Sequence, residues 1–130
     1  MSFVDLMFSF SREICLVCHF QVVLVDESGQ QQPGCYGSQV KAGDQSLSRP
    51  LSLCDAGENH ILVTDYFQHR IHLVTHQLQF VRHLVAKGQS PATCSAECGE
   101  LGITYPRQIC LNAGLLYVGT DSGCVGIYRV

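Results

Sequence analysis

Charged residues are scarce in this sequence, and basic residues are scarcer than acidic ones. They make up 15% of the 130 residues, with eight Lys or Arg against eleven Asp or Glu, for a formal net charge of −3. This balance argues against attraction of the whole domain to nucleic acid or to an anionic membrane. Apolar residues make up 46% of the chain, which excludes a disordered tail and is enough for one domain with a modest core.

Two further absences concern the cellular location. The N-terminus, MSFVDLMFSFSREICLV, has no basic start and no small-residue cleavage site, so we expect no signal peptide. No stretch contains 18 uncharged apolar residues, so we expect no membrane span. The expected location is therefore cytoplasmic, where most of the eight cysteines would be free, buried thiols; Cys54, Cys110 and Cys124 lie in apolar contexts that fit this expectation.

Motifs of catalysis are also missing. The sequence has no G-x-S-x-G, no H-E-x-x-H and no Gly-rich phosphate loop. His72 and His76 lie four positions apart, too far for one metal ion without a third element, and we expect them to be solvated residues on an outer strand face. The sequence therefore predicts no enzymatic activity, no catalytic residue and no cofactor.

Helical periodicity longer than two turns is absent. Short clusters of Val, Ile, Leu and Tyr are instead separated by Gly, Asp, Asn and Ser, which is typical of strands joined by turns. Residues 49–89 divide into four predicted strands at 51–54, 61–64, 70–75 and 80–85.

Parts of the same pattern recur before and after residues 49–89. Pro106 follows Pro50 by 56 positions, and two apolar segments recur at a spacing of 54: 116–118 repeats 62–64, and 125–127 repeats 71–73. Upstream, Val22 precedes Ile71 by 49 positions and lies in a predicted third strand, which a DESG turn connects to a fourth. The last unit ends after its third strand, so nine strands are predicted in all.

A repeat of four strands and about 40 to 50 residues is typical of a propeller blade. We therefore predict an all-β fold, a partial β-propeller of four-stranded antiparallel blades, with a β-sandwich as the alternative. The blade parts are 22–48, 49–93 and 105–130. Because closure takes roughly four to eight blades, we expect the chain to self-associate or to belong to a longer protein.

The order of residues within the unit resembles the NHL repeat. Pro50 opens the first strand, Asp65 ends the second, and Gln68-His69-Arg70 leads into the third, with Gln68 where the family usually has Asn. The resemblance covers about residues 22–130. It implies a propeller like the C-terminal one of tripartite-motif (TRIM-NHL) ubiquitin ligases, which selects protein or RNA targets while a RING domain performs catalysis. This sequence contains no RING or B-box pattern.

Most residues of the pattern are expected to be structural. Asp65 can accept hydrogen bonds from turn amides, and Arg70 can bridge neighbouring strands or blades; Pro50 and Pro106 open their units. The candidate binding residues lie at one end of the strands, where propellers present loops to partners, and Tyr66 and Phe67 could instead pack on the next blade. They are Tyr66, Phe67, His69, Arg70 and Arg107.

A protein partner is the first expectation, and RNA is the alternative. RNA binding would require basic side chains on one loop face. The five candidates are Lys41, Arg49, Arg70, Lys87 and Arg107.

The motif CLVCH at 15–19 has the spacing of a c-type haem attachment site. Its flanks are strand-like and would point Cys15 and Cys18 to opposite faces, which argues against haem and against a redox dithiol. A zinc site formed with Cys94 and Cys98 is a lesser alternative. Since LVCHFQ can be encoded by a pyrimidine-rich tract ending in CAG, residues 1–21 are also a candidate gene-model artefact.

Overall fold

The computed structural model describes residues 6–8, 14–18, 21–31, 36–37, 46–85, 93–94, 105–121 and 123–129. Over these ranges the chain consists of strands and turns, which confirms the all-β class. None of the described residues forms a helix long and apolar enough to cross a membrane. The strands are β1 (Leu6–Phe8), β2 (Ile14–Cys18), β3 (Gln21–Val25), β4 (Pro50–Gly57), β5 (His60–Asp65), β6 (Arg70–Thr75), β7 (Phe80–Val85), β8 (Thr93–Cys94), β9 (Pro106–Asn112), β10 (Leu115–Thr120) and β11 (Val125–Arg129).

The second sheet contains the complete repeat unit. Strands β4, β5, β6 and β7 lie side by side in chain order, and each pairs antiparallel with the next. The turn from β4 to β5 places Gly57, Glu58 and Asn59 at positive φ, a conformation that Gly and Asn adopt with little strain. All four strands predicted for this unit are present.

The first sheet is formed by β1, β2 and β3 in that order. Two isolated bridges, Val22 to Tyr36 and Val25 to Gln31, place the chain that follows the DESG turn beside β3, where the sequence predicts a fourth strand. The sequence also placed residues 1–21 outside the repeat, whereas β1 and β2 pair with β3 in this sheet. The artefact interpretation of this segment stays a hypothesis.

The third sheet has the order β8-β11-β10-β9. The sequence predicted that this unit ends after its third strand, but Thr93 and Cys94 pair antiparallel with Ile127 and Gly126 and occupy the fourth position. This strand comes from the connection after the second sheet and precedes β9 in the chain. It was missed because two residues carry no readable alternation.

The second sheet lies between the other two and is buried on both faces. One face packs on the first sheet, in a core that includes Val22 and Leu24 from β3 and Ile61, Val63 and Val74 from the second sheet. The opposite face packs on the third sheet, in a core formed by Leu62, Ile71, Leu116, Val118 and Tyr128. Three successive sheets stacked face to face are the arrangement of consecutive propeller blades.

One spacing in the predicted repeat is wrong by one residue. The sequence matched Leu116 to Leu62, but these residues lie on sheets that face each other and contact the same core. In the structure Ile61 and Val63 of β5 face the first sheet, just as Leu116 and Val118 of β10 face the second sheet. The two pairs therefore correspond, at a spacing of 55. Because side chains alternate along a strand, a shift of one position changes which face of the sheet packs on which neighbouring sheet.

Candidate interaction surface

The loop between β5 and β6 is fixed to the chain that precedes β4. The fully buried carboxylate of Asp65 accepts hydrogen bonds from the amides of Ser48 and Arg49, each at 3.1 Å to Oδ1. The amide of Tyr66 donates to the carbonyl of Arg49 at 2.8 Å. These three bonds fix the start of the loop to the segment at Ser48 and Arg49, so the residues that follow Asp65 have a defined position.

Arg70 belongs to this support. Its Nη2 donates to the carbonyl of Ser46 at 2.9 Å, its Nε lies 3.8 Å from Asp65 Oδ2, and its side chain is only 14% exposed. Gln68 donates to the same carbonyl at 3.2 Å. The structure therefore separates Arg70 from the other candidate binding residues and places it beneath the loop.

Three aromatic rings and one imidazole meet on the outside of the loop. The ring centroid of Tyr66 lies 5.0 Å from that of Phe67 and 5.1 Å from that of Tyr105. His69 contacts Tyr105 edge-on at 4.4 Å, and the amide of Tyr105 donates to His69 Nδ1 at 2.8 Å. Phe67 remains 56% exposed and Tyr105 44% exposed, so the cluster faces solvent.

An ion pair completes this cluster and joins two blades. Asp121 Oδ1 accepts a hydrogen bond from Arg107 Nη1 at 2.8 Å, and its Oδ2 accepts one from the Tyr66 hydroxyl at 2.9 Å. The two donors, Arg107 first, lower the pKa of Asp121, and the bond to Asp121 raises the pKa of Tyr66. Tyr66 comes from the second sheet, and Arg107 and Asp121 come from the third.

We call this cluster the aromatic surface. It consists of Tyr66, Phe67, His69, Tyr105, Arg107 and Asp121. Four of the five residues predicted for binding belong to it. Tyr105 and Asp121 were missed, but the corrected spacing of 55 aligns Asp121 with Tyr66 and would have indicated it. The two prolines lie below: Pro50 pairs with Asp65, and Pro106 pairs with Thr120.

A second polar cluster lies inside the protein. His72 and His76 are both buried, so the prediction that they are solvated is wrong. The reason is that β6 belongs to the middle sheet, where the face that carries His72 packs on the first sheet. The hydroxyl of Tyr36 lies 2.6 Å from His72 Nδ1, and Asp65 Oδ2 lies 3.7 Å from His72 Nε2. Burial raises the pKa of Tyr36, so its hydroxyl stays protonated beside the imidazole.

Acid should destabilise the protein through His72. Burial lowers the pKa of His72, and the carboxylate of Asp65, 3.7 Å away, offsets part of this effect. The unfolded chain therefore takes up a proton that the folded chain resists, so stability is complete above about pH 6.5 and falls as the pH drops below that value. One such proton contributes at most about 1.4 kcal/mol per pH unit. Urea unfolding between pH 8 and pH 5 measures the slope, and His72→Gln is expected to reduce it; an unchanged slope in that variant would assign the acid sensitivity to other groups.

The three cysteines that the sequence places in apolar contexts are only partly as predicted. Cys54, Cys110 and Cys124 carry free thiols. Cys124 is buried, and Cys54 is half-buried, which raises the pKa of its thiol. Cys110 is exposed, contrary to the prediction. It lies on β9, an edge strand of the third sheet, where an apolar sequence context does not guarantee cover.

The lesser alternative of a metal site finds no support in the backbone arrangement. Cys15 and Cys18 lie on β2 in the first sheet. Cys94 lies on β8 in the third sheet, on the other side of the second sheet, and Cys98 lies outside the described residues. Within the described ranges no group of three or more His, Cys, Asp or Glu side chains could hold a metal ion.

No protein-family model matches the sequence, and no curated protein is significantly similar to it. Solved structures do match. A protein of unknown function from Bacteroides thetaiotaomicron superposes with a TM-score of 0.71 at 14% identity, over 95% of this chain and 34% of that one. Virginiamycin B lyase from Staphylococcus aureus, in a catalytically inactive form with quinupristin, gives 0.65 at 11% identity, over 98% and 37%. The computationally designed Ika4 protein gives 0.50 at 12% identity, over 99% and 91%.

These similarities show the fold, which is of the β-propeller type. The chain spans about a third of the length of the first two structures. At identities of 11 to 14% the likeness does not extend to function.

Proposed function

We propose that the chain is a non-catalytic interaction module that recognises a protein partner through the aromatic surface. The observation that carries this proposal is that the aromatic side chains are exposed while the backbone that holds them is fixed by hydrogen bonds. Phe67 and Tyr105 are 56% and 44% exposed, while the loop beneath them is fixed through Asp65. Large aromatic side chains that are already ordered lose little conformational entropy on binding, which is why they dominate interface energetics.

Local backbone strain supports the same surface. His69 and Tyr105 both have positive φ, 55° and 47°, although neither is glycine. Such conformations cost on the order of 1 to 3 kcal/mol each and concentrate at binding sites. At these two positions the imidazole of His69 lies against the Tyr105 ring, and that ring faces solvent.

The charge of the surface favours a protein over RNA. Asp121 neutralises Arg107, so the ion pair offers no net positive charge to a phosphate backbone. Of the other basic candidates, Lys41 and Lys87 lie outside the described residues, Arg49 is exposed, and Arg70 already contacts Ser46 and Asp65. A peptide with an apolar or aromatic anchor suits such a surface better than a polyanion does.

The finer assignment rests on the resemblance to NHL repeats. Under this assignment, the module acts in the cytoplasm as the recognition end of a TRIM-type ubiquitin ligase. The catalytic RING domain would have to come from sequence other than these 130 residues. Virginiamycin B lyase is an enzyme with this type of fold, but the present sequence carries none of the catalytic motifs considered above.

Selection from a random-peptide display library, followed by fluorescence polarisation with the enriched peptide, tests this function. Phe67→Ala is expected to weaken binding at least tenfold, because a buried aromatic anchor is worth more than about 1.4 kcal/mol. The matched control is Val81→Ala, which removes an apolar side chain that is 42% exposed on β7, away from the surface. It should bind like the unmodified chain.

Two results would contradict the proposal. One is equal weakening by Phe67→Ala and Val81→Ala, which would place the binding site elsewhere. The other is tight, salt-dependent binding of a single-stranded RNA pool that Arg107→Ala abolishes, which would favour the RNA alternative.

A further inference from the structure

A pocket of about 460 Å³ opens between the second and third sheets, beside the start of β5, whereas the aromatic surface follows the end of this strand. The end of β4, the turn after it and the first residue of β5 contribute Ala56, Gly57, Glu58 and His60 to the wall, and the turn between β9 and β10 contributes Gly114. An added Cβ at Gly57 or Gly114 would meet no atom within 4 Å, so both turns leave open space. The volume lies in the range of pockets that bind small molecules.

The floor of this pocket is apolar. Leu62 on β5, Leu73 on β6 and Leu84 on β7 lie on the face of the second sheet that meets the third sheet, and Leu111 approaches from β9. Leu62 is fully buried, whereas the other three are only half-buried against the shared core. Part of each of these three side chains is therefore open to contact with an apolar ligand.

One cation lies beside the leucine floor. The strand register places Arg82 directly opposite Leu73, and Leu73 opposite Leu62, so the three side chains share one face of the sheet. Arg82 is exposed and forms no hydrogen bond or ion pair with any of the described residues. Its guanidinium is therefore free to bind an anionic group, and its planar fork matches the geometry of a carboxylate.

The acidic residue of the pocket lies farther from the floor. Glu58 is exposed in the turn beyond the end of β4, and it forms no ion pair with Arg82. Arg82, by contrast, lies within a strand and next to the leucine side chains. A ligand that rests on the leucines therefore meets the positive charge first, which favours a negative head group.

We propose that this pocket binds a small amphipathic carboxylate, whose aliphatic body lies on Leu73, Leu84 and Leu111 and whose head group pairs with Arg82. The residues that line the pocket belong to the second and third sheets and their hairpin turns, so the site is formed without any further blade. This proposal is independent of the protein partner proposed for the aromatic surface.

An NMR titration of the full chain with octanoate, below its micellar concentration, tests the site. With ¹³C-labelled leucine methyl groups, the resonances of Leu73, Leu84 and Leu111 are expected to shift and to saturate. Leu53 and Leu78 are internal controls, because they lie in the core next to the first sheet. Unchanged resonances of the three pocket leucines, or equal shifts in both sets, would overturn the proposal.

The head group distinguishes a carboxylate site from a merely apolar groove. Octanol and octylammonium carry the same aliphatic chain with a neutral or a positive head group, so both should bind more weakly than octanoate. Equal binding of octanol, or tighter binding of octylammonium, would contradict the role assigned to Arg82. This comparison uses the unmodified chain and does not depend on the folding of any variant.

Arg82→Gln is expected to weaken octanoate binding roughly threefold to tenfold, since solvent reduces the gain from a charge-assisted hydrogen bond at an exposed guanidinium. Octanol binding should not change. The matched control is Arg49→Gln, which removes another exposed arginine, one that does not line the pocket, and should leave octanoate binding intact. Equal weakening in both variants would assign the effect to the overall charge of the protein and contradict the site.

Discussion

Replacement of Asp65 by Ala is expected to lower the free energy of unfolding by about 3 to 5 kcal/mol, the typical cost of removing one partner from a buried charged pair. Its carboxylate is fully buried, accepts hydrogen bonds from the amides of Ser48 and Arg49, and lies 3.8 Å from the guanidinium of Arg70. Without it, two amides would lose their acceptor and the guanidinium of Arg70 would lose its counter-charge. Since small domains have only about 5 to 15 kcal/mol in total, much of the chain would unfold.

Urea unfolding followed by circular dichroism, at one protein concentration, measures this effect. Asp65→Asn keeps the shape and one oxygen acceptor but not the charge, so it should cost less than Asp65→Ala. Asp55→Ala is the control, because Asp55 is on the same sheet but its side chain is 45% exposed. If Asp65→Ala stays within about 1 kcal/mol of the unmodified protein, the buried carboxylate is not the anchor of the loop.

Leu116→Ala is expected to cost about 2 to 5 kcal/mol, the range for truncation of a fully buried leucine. Leu116 has no exposed surface and packs with Leu62 and Ile71 across the boundary between the second and third sheets. The cavity would therefore open at the point where two blades meet. Thermal or urea unfolding gives the size of the loss.

The neighbouring residue supplies an internal control. Leu115 has the same side chain but lies on the opposite face of β10 and is only half-buried. Leu115→Ala should therefore cost less than half as much as Leu116→Ala. The reverse order would mean that the strand is shifted by one residue, since such a shift exchanges the two faces.

The repeat made the second sheet predictable, because its four strands are separated by strong turn signals and each carries several apolar residues. The spacing of the second strand of the next unit was predicted with an error of one residue because the turn between its second and third strands is one residue shorter, so the third-strand spacing of 54 does not apply to the second strand. The pairs Thr64–Ile71 and Gly119–Val125 show this difference.

Burial of the polar residues was not predictable from one strand at a time. His72 alternates with apolar neighbours, as a residue on a solvated face would. Part of its cover comes from Tyr36 in the preceding blade, which lies far away in sequence. Four of the six residues of the aromatic surface were predicted. Tyr105 and Asp121 were not, because the sequence alone does not show which residues of the next blade lie beside the loop.

The position of β8 limits where this protein can be divided into interchangeable units. Thr93 and Cys94 lie before β9 in the chain, yet they cover the edge of β11 at the far end of the same blade. A segment cut at the apparent repeat boundary near residue 105 would leave this edge open and its partner strand attached to the wrong blade. For recombination or transplantation, the functional unit therefore extends across the connection, and the second and third blades form a single module.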